Sequence, residues 1–272
     1  MTAAWFNGAP ASAVDAFGRG LHYGDGVFRT LMKYDGEIID IEEHIKKIRA
    51  DAAGLGINPP EAAVLRADAG AAGAAAERCV LKILLLRAGG GRGYRPAGHD
   101  ADRLVLRYPA PVYAAAAWEQ GVAAFRCALK LAAQPALAGI KHLNRLEQVL
   151  ASRDWPDGMD EGLLGDGDGA PVCGTRSNLF WVRRGRLHTP ALDRCGVAGV
   201  MRDRVLALAA RLGIQVQVAQ RPWQHLLEAD EAFVTNSLIG TWPLRSLDGH
   251  RWPAPGPLTA SLAAALRHPR LI

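Results

Sequence analysis

Lys141 stands where a loop gives way to an apolar-periodic stretch, Gly139-Ile140-Lys141-His142-Leu143-Asn144-Arg145-Leu146-Glu147-Gln148. Leu143, Leu146, Val149 and Leu150 recur at helical spacing, which predicts a helix over Asn144–Ser152 with the lysine at its mouth. An amine held on a rigid shoulder in a pocket is a Schiff-base former. Taken alone, a lysine near a helix start is usually just solvated. Other chemistry-bearing groups recur elsewhere. Arg87 and Arg92 bracket a glycine-rich loop, Arg87-Ala88-Gly89-Gly90-Gly91-Arg92-Gly93-Tyr94, and a guanidinium on such a loop suits a carboxylate. Gly196 and Gly199 precede a helical run from Val200 to Leu212, a form whose free backbone N–H groups favour an anion. Thr235-Asn236-Ser237 is a hydroxyl-bearing turn, which on its own would serve its own backbone.

The elements that must hold these groups read as alternating strands and helices. A first strand and turn lie at Trp5–Gly8, and Gly26–Lys33 is a second strand. The Asp-Gly turn Tyr34–Glu37 leads to a strand Ile38–Ile41, and a helix follows over Glu42–Leu55, stopped by Gly56. Pro60–Arg78 is alanine-rich and helical in composition, while Val80–Arg87 and Arg103–Tyr108 read as strands. Pro109–Ala117 (PAPVYAAAA) is the linker candidate. Beyond it, short strands alternate with helices at Asn144–Ser152, Val200–Leu212 and Leu258–Leu266. No internal repeat is evident.

Bulk properties exclude several classes. With 272 residues the chain is long enough for two domains, and 49% hydrophobic with 22% charged residues is ordinary for a globular protein. No apolar run reaches the roughly 18 residues that span a membrane. The N-terminus lacks a basic region followed by an apolar core, so no signal peptide is expected and the cytoplasm is the default. Cys79, Cys127, Cys173 and Cys195 are widely spaced, with no CxxC pair, which argues against a metal site and a disulfide framework. The net charge of +5 is diffuse, with no aromatic-interleaved basic stripe, so no nucleic-acid partner is expected. An anionic small-molecule substrate suits the same charge.

The Lys141 segment, taken whole, resembles the cofactor-lysine segment of the class IV (branched-chain and D-amino-acid) family of pyridoxal-phosphate enzymes, and within it the lyases that act on 4-amino-4-deoxychorismate. Four further motifs, in the right order between Trp5 and about Leu247, carry the same resemblance. Leu21-His22-Tyr23-Gly24-Asp25-Gly26-Val27-Phe28-Arg29-Thr30, read as a strand segment, is characteristic of the family, and the resemblance implies that Thr30 lies near the reacting carbon, with Tyr23 lining the substrate site. The glycine-rich loop matches the lyases' arginine loop, making Arg92 the carboxylate ligand and leaving Arg87 a structural role. Gly199-Val200-Met201-Arg202 matches a phosphate turn, which assigns the backbone amides of Val200 and Met201 to the phosphate. Ser237 falls at the family's phosphate-binding hydroxyl. Lys47 stands where the family carries a phosphate-binding arginine, with Arg49 as its rival.

One position departs from the pattern. Counting back from Asn178, the family's glutamate that pairs with the pyridine nitrogen is Cys173 here. A neutral thiol cannot hold that nitrogen protonated as a carboxylate does. Either the cofactor's electron sink is weakened, or Asp166 or Asp168 substitutes. The resemblance implies an α/β (α+β) fold of two domains, a smaller N-terminal one over residues 1–110 and a larger C-terminal one over 118–272 that bears the lysine, joined by 111–117. It implies pyridoxal 5′-phosphate as cofactor, a homodimer, and conversion of 4-amino-4-deoxychorismate to 4-aminobenzoate and pyruvate in folate synthesis. The alternatives are a D-amino-acid or branched-chain aminotransferase of the same family, or a non-catalytic pyridoxal-phosphate binder.

Overall fold

A computed structural model describes all 272 residues. The chain divides into two compact units, one formed by Met1–Pro111 with Ile140–Asn144, the other by Val112–Gly139 with Arg145–Ile272. Residues 140–144 thus pack with the first unit although they follow the start of the second. No helix is long and apolar enough to cross a membrane.

The first unit comprises β1 (Ala3–Phe6), β2 (Ala9–Ala11), α1 (Arg19–Tyr23), β3 (Gly26–Tyr34), β4 (Glu37–Ile38), α2 (Ile41–Gly54), α3 (Ala62–Gly73), β5 (Cys79–Arg87) and β6 (Ala101–Pro109). Its six strands are ordered β2-β1-β6-β5-β3-β4. All pairings are antiparallel, as short connections permit. β3 alternates as a strand with one covered face should: Val27 and Leu31 join the core that Ile45, Ile48 and Ala52 of α2 complete. Those helix residues recur at three- and four-residue spacing, which puts them on one stripe. Burying each of the valine, leucine and isoleucine side chains contributes about 1.5–3 kcal/mol. Phe28 and Thr30 are half-buried and point to the other face of β3.

Three expectations need correcting here. The strand expected over Ile38–Ile41 is only Glu37–Ile38, because the helix already begins at Ile41. The helix expected over Pro60–Arg78 is Ala62–Gly73, shortened at both ends. The stretch before Gly24 is the short helix α1 and not part of a strand. Gly24 ends it in a left-handed conformation (φ 61°), with the side chain of Asn144 filling the space a Cβ would need.

The second unit comprises α4 (Ala116–Glu119), β7 (Val122–Leu131), α5 (Leu146–Ala151), β8 (Glu161–Asp166), β9 (Pro171–Gly174), β10 (Asn178–Arg183), β11 (Arg186–Thr189), α6 (Val200–Arg211), β12 (Val216–Val218), α7 (Trp223–Leu227), β13 (Glu231–Asn236), β14 (Gly240–Leu247), β15 (His250–Arg251) and α8 (Pro257–Leu266). The first of these helices begins inside the expected linker. The sheet runs β12-β11-β10-β13-β14-β7-β8-β9, and a further pairing of Cys173 with Asn178 joins β9 back to β10. Six strands therefore close on themselves as a ring, leaving few open edges. A core containing Val122, Leu163, Trp181, Val234, Trp242 and Leu244 forms one apolar cluster. A separate cluster packs Met201, Val205 and Leu208 of α6 and Leu262 of α8 on Phe180 and Phe233.

Candidate active site

Lys141 does not open a helix. It lies in an extended segment, and α5 begins five residues later, at Leu146. The helical spacing of Leu143 with Leu146 misleads because backbone groups of β3 compete for the segment. The Phe28 N–H donates to the Lys141 carbonyl at 2.9 Å, and the Leu143 N–H donates to the Gly26 carbonyl at 3.0 Å. Val27 and His142 pair as an antiparallel bridge, so residues 141–143 act as a short edge along the first half of β3. Gly26 is required there: a Cβ would stand 2.5 Å from the Leu85 carbonyl oxygen and 3.0 Å from Leu143.

The Lys141 ammonium group is 4.7 Å from the centre of the Phe28 ring. A second lysine shares that ring. Lys82 of β5, directly opposite Thr30 in register, brings its amine to 4.5 Å from the Phe28 centre. Burial lowers the basicity of Lys82. Phe28, Thr30, Lys82 and the Lys141 amine therefore gather around one face of the first sheet. Lys82 escaped the sequence reading because a lysine in the strand Val80–Arg87 has no local signal; only the β3–β5 register puts it across from Thr30.

Behind that face is a buried charged knot. Asp51 of α2 is 5% exposed and Arg29 of β3 is 2% exposed; the Arg29 guanidinium donates to the Asp51 carboxylate. The same carboxylate oxygen accepts the Lys141 backbone N–H at 3.2 Å. Burial pushes the Asp51 carboxyl up, opposed by the Arg29 charge, the Lys141 N–H and the charge of Lys47 one turn back on α2. Lys47 thus faces this knot, whereas Arg49 is drawn off to the Pro60 carbonyl at 2.9 Å.

The glycine-rich loop is tethered at its base and free at its tip. Arg87 donates to Asp25 at 2.9 Å and to the carbonyls of Gly56 and Leu55, a structural use of its fork. Arg19 bonds the same Asp25 and reaches the carbonyls of Gly93 and Tyr94 at 3.0 and 2.9 Å. The Tyr23 hydroxyl accepts the Gly93 N–H at 3.1 Å. Tyr23 thus anchors the loop, and Arg92 is exposed on it.

In the second unit, Gly199 precedes α6 in extended conformation, and Val200 and Met201 are its first two helical residues. The first N–H groups of a helix have no partner within it. Asn178 of β10 fixes this entry. Its side-chain N–H donates to the Val197 carbonyl at 2.7 Å, and its oxygen accepts the Gly199 N–H at 3.1 Å. A Cβ on Gly199 would collide with that oxygen. Arg202 points inward to the Pro190 carbonyl. Ser237 opens a turn whose backbone is held by Asn236, which accepts the N–H groups of Leu238 and Ile239 at 2.8 and 3.0 Å.

Cys173 is 6% exposed among apolar neighbours that include Leu164, Val172 and Leu131. The Arg145 guanidinium, whose own basicity burial lowers, interacts with it electrostatically. The two aspartates proposed as substitutes are committed elsewhere. Asp166 accepts the N–H groups of Asp168 and Ala170 and a side-chain N–H of Gln220, closing the β8–β9 turn. Asp168 pairs with Arg194 at the surface. The sequence reading overlooked Glu161, which is fully buried. It accepts the Thr175 N–H and hydroxyl at 3.1 and 2.6 Å and the Ser177 hydroxyl at 2.8 Å. Its partners lie fourteen to sixteen residues away, so no local motif announces it.

Against known proteins, the family described as amino-transferase class IV matches residues 26–247. An aminodeoxychorismate lyase of Vibrio harveyi is 35% identical over 246 residues, 89% of this chain and 90% of that one. The crystal structure of 4-amino-4-deoxychorismate lyase from Pseudomonas aeruginosa superposes with a TM-score of 0.93 at 43% identity, covering 97% of this chain and 98% of the other. The Escherichia coli branched-chain amino acid aminotransferase follows with a TM-score of 0.87 at 27% identity, covering 97% and 92%. The fold is that of a two-domain class IV enzyme, with mixed α/β units. With a family match across most of its length and these relatives over nearly all of it, the chain belongs to the class IV aminotransferases, a pyridoxal-phosphate-dependent family.

Proposed function

We propose that this protein is a lyase that converts 4-amino-4-deoxychorismate to 4-aminobenzoate and pyruvate. The observation that carries the reading is the grouping of the Lys141 amine with Phe28, Thr30 and Lys82 on one sheet face, in a chain similar to two such lyases. The residues fit the cofactor. Gly199, where a Cβ would strike Asn178, leaves backbone N–H groups open to a phosphate, and Lys141 offers the amine. In this reading Val200, Met201, Ser237 and Lys47 would hold the phosphate, and Lys141 would offer its amine to the aldehyde. When bound, pyridoxal phosphate supplies an electron-withdrawing ring that lowers the cost of negative charge on the amine-bearing carbon.

The chain's own groups do the rest. The Lys141 amine would be the base that takes the proton from the amine-bearing carbon, and Thr30, on the same face of β3 as Phe28, would relay it. The bond from ring carbon to enolpyruvyl oxygen breaks, its electron pair leaves with that oxygen, and the enol gains a proton to become pyruvate. The ring aromatises, a driving force that tolerates the uncharged Cys173. The substrate carries two carboxylates, which suits Arg92 on the loop and Lys82 beside Phe28 as separate cations. The exposed apolar residues of α5 support a homodimer, and four free cysteines with no disulfide accord with a cytoplasmic enzyme.

Purified protein loaded with pyridoxal phosphate should form 4-aminobenzoate and pyruvate in equal amounts with no keto-acid acceptor. Borohydride should fix the cofactor on Lys141, and Lys141→Ala should lower kcat by about 10³-fold or more. A requirement for 2-oxoglutarate, with glutamate as product, selects the aminotransferase instead. Cofactor trapped on another lysine refutes the site.

A further inference from the structure

We propose that Asp51 is a positioning residue for Lys141, fixing the segment that carries the amine through a hydrogen bond to its backbone. The proposal rests on the assignment of Lys141 as the reactive amine. The geometry is confined to the first unit. An extended segment of five residues, 140–144, has only a short ladder to β3, made at Lys141, His142 and Leu143. The ladder uses the Lys141 carbonyl but not its N–H. That N–H points the other way, toward α2, and is half-buried there. Asp51 supplies the partner at 3.2 Å.

A carboxylate is more than filler at this point. It is buried, it carries the Arg29 guanidinium on the same oxygen, and Lys47 lies within electrostatic reach on the same helix. Arg29 is the β3 residue between Phe28 and Thr30, so its side chain leaves the opposite face of the strand. One carboxylate therefore ties together the strand bearing Phe28 and Thr30, the helix bearing Lys47, and the backbone of Lys141. A displacement of any of the three is felt by the others. An amine on a flexible four-carbon stem needs such a fixed base, because an error of about 1 Å in the backbone is enough to spoil a reacting geometry.

The test removes the contact without leaving a buried charge. Asp51→Leu with Arg29→Met replaces the pair by apolar groups of similar size, an exchange that folded proteins often tolerate. Amide hydrogen exchange of the cofactor-loaded protein is then followed residue by residue. The Lys141 N–H should exchange about tenfold faster than in the wild type, as loss of a hydrogen bond to a charged acceptor requires, while the Phe28 and Leu143 N–H groups stay protected. kcat should fall with KM nearly unchanged. Unaltered protection of the Lys141 amide, or equal loss of protection throughout the first unit, overturns the proposal. If the double variant does not fold, Asp51→Asn carries the test. It keeps the shape and an acceptor but removes the charge that strengthens the bond, so the Lys141 amide should exchange several-fold faster while the Phe28 and Leu143 N–H groups stay protected; unaltered protection of the Lys141 amide overturns the proposal. Trapping of the cofactor on a different lysine would instead refute the function reading, with the amide result still reporting the Asp51 contact.

Discussion

At the residue scale, Cys173 is where this chain departs from the family's pattern, and its surroundings decide what substitution there should do. The thiol is buried beside Leu164, Val172 and Leu131, with Arg145 as the charged neighbour. Neither Asp166 nor Asp168 is free to replace a missing carboxylate, since each is held in its own hydrogen bonds or ion pair. If the lyase reading holds, aromatisation drives the reaction and a neutral group at 173 suffices. Cys173→Ala should then change lyase turnover by less than about tenfold and cost little stability, since it removes one small buried atom. Cys173→Glu should favour transamination of amino acids over lysis, because it adds the charge that transamination depends on. Kinetics of both reactions on the two variants check this; a hundredfold loss of lysis in a folded Cys173→Ala contradicts it. The spacing back from Asn178 exposes the departure, but the occupation of both aspartates is seen only in three dimensions.

At the scale of elements, α5 is short and has an outer face that nothing in its own chain covers. Leu146, Val149 and Leu150 are 73%, 61% and 49% exposed. Three apolar residues at helical spacing on a six-residue helix form a contiguous exposed patch, the kind that marks a contact. A second copy of this chain is the occupant the family resemblance implies. Sedimentation equilibrium should give twice the 29.1 kDa chain mass, and Val149→Lys should shift it toward the single chain. A wild-type protein that sediments as one chain at micromolar concentration removes this expectation. The stripe itself is legible from sequence, as is α6 with its entering glycines. The true start of α5 is not, because hydrogen bonds to β3 hold residues 141–143 extended against their helical periodicity.

At the scale of the whole molecule, His188, which is buried, and His268, which is half-buried, make stability depend on pH. Burial, reinforced by His225 and the charges of Arg221 and Arg183, pushes His188 down to about 4. Burial with Arg204 nearby pushes His268 down to about 4 as well, against an opposing contribution from the Ser237 backbone. Both titrate near 6.5 when unfolded, so between those values the unfolded chain binds more protons than the folded one. Stability is therefore complete above about pH 6.5 and declines as the pH falls toward 4. Each histidine contributes a slope of up to about 1.4 kcal/mol per pH unit in that window. Thermal unfolding should show Tm falling between pH 7.5 and 5.5, before most carboxylates titrate. His188→Gln should flatten the fall; an unchanged slope in a folded variant would show that His188 is not its source.

The sequence by itself determined the family and, with it, the cofactor, because these depend on residue types at fixed local spacing. The strand Gly26–Lys33, the helix Glu42–Leu55 and the glycine-led helix from Val200 were readable for the same reason: each is written in a run of neighbours. Tertiary structure alone decided what pairs across long separations. Asp51 meets Lys141 ninety residues away, Glu161 meets Ser177 from another strand, and Lys82 lies opposite Thr30 through register. The ring of strands closed by Cys173 and Asn178 belongs to the same class. The physical reason is that hydrogen bonds and burial act through space, whereas periodicity and motif record only what the chain places within a few residues of itself.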